Sequence, residues 1–166
     1  MPLSLRYVLQ FILYLLLQQL VFDNLVLADW AMPHVFILFL LVLPVELNLT
    51  IYFFIAFFMG LLLSYFQPPV GAAAVACVAV AGLRRIWVSV ITPQIAFGVR
   101  NELDMSKQGY GWAASYLVPC IFLYELVYQP VADLSLGWLV WVKILLSTLY
   151  TSAIVLLIFL FFYKKS

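Results

Sequence analysis

The chain has 166 residues, 67% hydrophobic and 9% charged, with a formal net charge of +1 and a mean hydropathy of +1.16. A soluble domain is about half apolar and about a quarter charged, so this composition excludes one and defines a single all-α integral membrane domain over residues 1–166. No basic run is long enough to track a phosphate backbone, which argues against a nucleic-acid partner.

A membrane-spanning helix needs roughly 20 apolar residues. The first run, residues 7–27, meets that length. It carries Gln18, Gln19, Asp23 and Asn24, a polar load unusual in lipid. A single arginine, Arg6, precedes it and no small-residue cleavage site follows, so it reads as a retained helix. Asp29, Trp30 and Pro33 mark a turn, with the Trp30 ring suited to an interface. His34, the single histidine, is placed near the outer surface, where it makes neither a metal site nor a catalytic pair.

Residues 32–66 form one long apolar stretch, broken at Pro44, Glu46 and Asn48. At 1.5 Å per residue it is too long for one crossing and slightly short for two. It divides into a short second span, 33–46, and a third, 49–66. A re-entrant hairpin fits the second element equally well.

Gln67-Pro68-Pro69 then break the chain, because proline lacks the N–H that would continue a helix. The fourth span, 70–87, is built of alanine, valine, glycine and Cys77, and it ends at Arg84 and Arg85. Small side chains let backbones approach closely in lipid. Gly60, Gly71, Ala72, Ala76 and Ala79 are therefore the expected packing positions of a central helix. Arg84 and Arg85 are expected to snorkel to the interface. Cys77 and Cys120 lie in apolar runs with no ligand cluster and read as small core residues.

The linker 91–110 is the one polar stretch, with Arg100, Glu102, Asp104 and Lys107. The fifth span covers 112–129, ended by Pro130, and the sixth 137–163, ended by Lys164 and Lys165. Six crossings with both termini inside place Arg6, Arg84, Arg85, Arg100, Lys107, Lys164 and Lys165 on the cytoplasmic side, and Asp29 and Asp133 in the outer turns. This satisfies the positive-inside rule.

Three ionisable groups fall inside spans at similar depth: Asp23, Glu125 and Lys143. Such groups are costly in lipid and are functional candidates by default. The short turn between the fifth and sixth spans makes those helices antiparallel neighbours. The expectation is a Glu125–Lys143 ion pair with Asp23 as a third member. A pair that fixes helix register is preferred to a proton or substrate site, because a relay shows more titratable groups along a path.

The Gln19–Asn24 stretch (QLVFDN), Trp30-Ala31-Met32-Pro33, Leu43-Pro44, Ala56-Phe57 with Gly60, Gly71-Ala72-Ala73-Ala74 and Arg84-Arg85 together resemble the MreD family of bacterial rod shape-determining membrane proteins, in a Bacteroidetes-type form. The resemblance covers residues 20–93. It departs where many members carry an aspartate and this chain has Ser64. It implies a fold similar to the six-helix substrate-binding subunits of energy-coupling vitamin transporters. It also implies a cofactor-free, non-enzymatic scaffold of the bacterial inner membrane. Its implied partners are MreC, the RodA glycosyltransferase and its penicillin-binding transpeptidase, and, indirectly, the MreB cytoskeleton. With almost no loop outside the lipid, partners would meet helix faces and the 91–110 linker, including Arg84, Arg85, Arg100 and Lys107.

Two rivals remain. A transporter binding subunit needs loops covering a polar pocket, and the outer turns are short. An intramembrane enzyme needs a nucleophile–base pair or a metal cluster, and a lone histidine with scattered acids supplies neither.

Overall fold

The computed structural model describes residues 3–26, 30–44, 47–66, 69–91, 110–134 and 137–163. Among the described residues six α-helices follow in order: α1 Leu3–Leu20, α2 Ile37–Val42, α3 Leu49–Phe66, α4 Ala72–Ile91, α5 Tyr110–Asp133 and α6 Trp138–Tyr163, with one 3-10 turn at Phe22–Asn24. No strand occurs among the described residues. The fold is all-α and of membrane type: α3, α4, α5 and α6 are each long and apolar enough to cross a bilayer. Arg100 and Lys107, with most of the linker, and Asp29, Glu46, Lys164 and Lys165 lie outside the described residues.

Helices α3 to α6 pack in chain order, α3 on α4, α4 on α5 and α5 on α6. The tightest approach is α3 against α4. A Cβ placed on Gly60 would meet the Cα of Ala74 at 2.4 Å and the carbonyl oxygen of Ala73 at 2.6 Å. Only a residue without a side chain allows the two backbones this close. Ala72, Ala73, Ala74, Ala76 and Cys77 of α4 are all buried.

Two of the expected packing positions do other things. Gly71 precedes α4 in a turn, with φ +97° and open space around its missing Cβ; backbone conformation, not packing, selects glycine there. Ala79 is only partly buried, because it falls off the stripe formed by Ala73, Ala76, Val80 and Arg84. Ser64 caps α4 from the preceding helix: its Oγ accepts from the Ala73 N–H at 3.1 Å. That satisfies one of the donors a helix start leaves free.

Helix α5 runs on through Pro130 to Asp133 instead of ending at residue 129. A proline costs one backbone bond and need not stop a helix held by packing on its neighbours. Helix α4 likewise runs a turn beyond residue 87, to Ile91.

The second element departs most from a simple span. Of residues 33–44, the described part of the expected 33–46 span, six are α-helical. Yet Val35 to Leu41 is buried without interruption. Trp30 and Met32 share one end of the bundle with Phe66, Asp133 and Lys143. Pro44 and Leu47 share the other end with Leu49, Arg84 and Arg85. The segment therefore passes from end to end through the bundle and does not turn back. It runs opposite to α3, whose first and last residues lie at those two ends.

Candidate functional site

Irregular backbone is tolerated at membrane depth only where protein buries it and satisfies it. Residues 33–43 meet both conditions, through polar side chains supplied by α1, α3, α4, α5 and α6. At the start of the segment, the Gln18 amide makes four hydrogen bonds. Its Nε2 donates to Asp23 Oδ1 at 2.7 Å and to the Pro33 carbonyl at 2.8 Å. Its Oε1 accepts from the N–H groups of Val35 at 2.9 Å and Phe36 at 3.3 Å. The His34 N–H donates to Thr151 Oγ1 of α6 at 3.1 Å. The donors left free before a helix start are thereby satisfied.

The end of the segment is held by Arg84. Its Nε–H donates to the Tyr116 hydroxyl at 2.6 Å, and its Nη2 donates to the carbonyls of Leu41, at 3.0 Å, and of Leu43. Tyr116 donates onward to the Leu41 carbonyl at 3.0 Å, and Tyr52 to the Leu40 carbonyl at 2.9 Å. The guanidinium carbon sits 4.9 Å from the centre of the Tyr52 ring. A cation belongs at a helix C-terminus, where free carbonyls leave partial negative charge. A planar fork that reaches two carbonyls and a hydroxyl is guanidinium geometry, not ammonium geometry.

This corrects the expectation for Arg84, which is 3% exposed and does not snorkel. It lies two helical turns inside the end of α4, and the carbonyls of α2 offer it better partners than the interface does. Arg85 is exposed, as its neighbouring position on the helix requires.

Beside the first of these caps lies a buried cluster built on His34 and Glu125. Glu125 is fully buried, and its Oε1 is 2.7 Å from His34 Nδ1. Gln129 Nε2 donates to Glu125 Oε2 at 3.1 Å and to Ser147 Oγ at 3.3 Å. The His34 ring packs against the rings of Tyr124 and Tyr128, at 5.1 and 4.7 Å between centres.

The expected trio of Asp23, Glu125 and Lys143 is therefore not one cluster. Lys143 pairs with Asp133 at 2.7 Å, where both side chains are about 30% exposed. Asp23 is held by Gln18. Glu125 lies deeper and turns inward to His34. The physical reason is that a histidine fixed on a buried backbone can reach the bundle centre, whereas the lysine keeps its ammonium at the wet end. His34, expected near the outer surface without a partner, is instead 1% exposed and paired with Glu125. Its signal was Pro33 beside it, followed by an apolar run too short to span.

Cys77 and Cys120 are buried free thiols. No group of three or more metal-ligating side chains forms among the described residues. His34 and Glu125 thus belong to a buried hydrogen-bonded network, in which His34 Nε2 and the Tyr124 hydroxyl have no hydrogen-bond partner among the described residues.

Fold and site thus define an all-α membrane protein whose interior is filled by a segment of its own chain. No family model matches the sequence, and no curated protein or solved structure matches it.

Proposed function

We propose that the chain is a non-enzymatic membrane scaffold of the bacterial cell-elongation machinery, acting as the MreD resemblance implies. The observation that carries this reading is the occupation of the bundle interior by residues 33–43. A binding subunit or an intramembrane enzyme needs an interior pocket with convergent polar groups. Here five of the interior polar groups, Gln18, Arg84, Tyr52, Tyr116 and Thr151, are spent on the chain's own backbone, and Glu125 and Gln129 are spent on other side chains. What remains for partners is the outside. The outer faces of α1 and α6 are apolar and open, with Leu9, Leu13, Leu16 and Leu20 on one and Trp141, Leu145, Leu149 and Phe161 on the other.

In this reading the protein sits in the inner membrane, crosses six times and has both ends in the cytoplasm. MreC packs on a helix face, and the chain connects the MreB cytoskeleton to the RodA glycosyltransferase and its transpeptidase. The test is copurification of the tagged protein from membranes, together with cell shape after depletion. Recovery of an MreC-like protein and a glycosyltransferase–transpeptidase pair, with rounding of depleted cells, is the expected result. Recovery of an ATPase module with normal cell shape would replace the scaffold by a transporter binding subunit.

A further inference from the structure

A second polar site lies outside the interior, at the end of the bundle where α1 finishes and α5 hands over to α6. It is a cleft of about 380 Å³ whose walls include Gln19, Asp23, Trp30, Tyr128, Asp133 and Lys143. Tyr128 lines it and also packs on His34, and Asp23 lines it and accepts from the Gln18 amide, so it adjoins the start of the buried segment from outside.

Its charges do not cancel. Lys143 is engaged by Asp133, which leaves Asp23 as the unneutralised carboxylate in the walls. Asp23 Oδ1 accepts from Gln18, and its second oxygen retains acceptor capacity. Trp30 and Tyr128 add aromatic rings to the lining, and such rings can attract a cation. The cleft also holds the opposite requirement. The Gln19 Nε2 is buried in the wall with no hydrogen-bond partner, an unmet donor that costs free energy until an acceptor reaches it. The Lys143 ammonium, which also lines the cleft, has further protons to offer.

One wall thus asks for a cation with N–H groups and another for an anionic oxygen. We propose that this cleft binds a primary ammonium joined to a phosphate, the zwitterion of an aminophospholipid headgroup. The ammonium donates to Asp23 between the Trp30 and Tyr128 rings, and the phosphate oxygens accept from Gln19 and Lys143. The same chemistry is carried by free phosphoethanolamine. The site is independent of the cell-elongation reading, because it uses no partner surface.

The experiment uses the full chain in nanodiscs of equal parts phosphatidylethanolamine, phosphatidylglycerol and phosphatidylcholine, with retained lipid read by native mass spectrometry. The expected result is retention of phosphatidylethanolamine above both others. Loss of one charge-assisted bond in Asp23→Asn should reduce that preference about tenfold. The asparagine oxygen can still accept from Gln18, so melting temperature should hold, and it is measured alongside. Gln19→Leu should weaken retention without lowering the melt, since it also removes an unmet buried donor. Added phosphoethanolamine that displaces the lipid and stays bound assigns the site to the free zwitterion; failure to displace it assigns the site to the lipid. Equal retention of phosphatidylglycerol or phosphatidylcholine, or an undiminished preference in Asp23→Asn, overturns the proposal.

Discussion

His34 Nδ1 stands 2.7 Å from Glu125 Oε1, although the two residues are 91 positions apart. Both are at most 1% exposed. The contact ties the irregular start of the buried segment to the middle of α5. Breaking a buried pair from one side leaves an uncompensated polar group, at about 3–5 kcal/mol, whereas replacing both partners by apolar residues is often nearly neutral. His34→Phe and Glu125→Leu should each destabilise strongly, and the double variant should recover part of the loss. Unfolding in detergent measures this. A coupling of more than about 1 kcal/mol is expected for residues in contact; strictly additive losses would mean that the pair does not interact.

Lys143 gives the complementary result. Its partner is Asp133, at a site about 30% exposed on both sides, and such exposed pairs contribute roughly 0–1 kcal/mol. Lys143→Met should therefore have little effect on the melt. Combined with Glu125→Gln, it should add to within about 0.5 kcal/mol, as independent sites do. Rescue of Lys143→Glu by Glu125→Lys would contradict this placement.

The α3–α4 contact is tested at three positions. Gly60→Ala drives a methyl into the Ala74 backbone, and a backbone cannot step aside as a side chain can, so a loss of about 1–3 kcal/mol is expected. Ala76→Leu should behave similarly, since Ala76 is fully buried. Ala79→Leu should be tolerated, because that position is partly open. Membrane levels and melting of the three variants decide it. Equal damage from Ala79→Leu would move the interface round the helix.

Much of this architecture is legible in the sequence. Composition dictates membrane helices, and the small-residue run from Gly71 to Ala81 marks the helix that others approach closely. The prolines and charges near residues 33–48 mark a break. What periodicity could not supply is the third dimension of that break. A stretch too short to span has two solutions, turning back or crossing with irregular ends, and both read alike in one dimension. The choice between them rests on distant side chains that cap the ends. Gln18 and Arg84 are visible as polar residues in apolar runs, yet their partners are backbone groups that carry no residue-type signal. For the same reason the sequence pairs Glu125 with Lys143, which the short turn between the fifth and sixth spans puts at similar depth, and not with His34, which only the fold brings near.

The central claim is that residues 33–43 fill the bundle as a segment capped by the surrounding helices. Arg84 tests it most directly, through the melting of the purified protein as wild type and as Arg84→Lys, Arg84→Met and Arg85→Met. A guanidinium that caps Leu41 and Leu43 from within predicts a loss of about 2–4 kcal/mol for Arg84→Met, as charged hydrogen bonds to buried carbonyls are removed. It predicts that lysine restores less than half of this, because an ammonium lacks the fork, and that Arg85→Met is near neutral. A wild-type melt for Arg84→Lys, with equal small effects of Arg84→Met and Arg85→Met, would place both arginines at the interface and contradict the account.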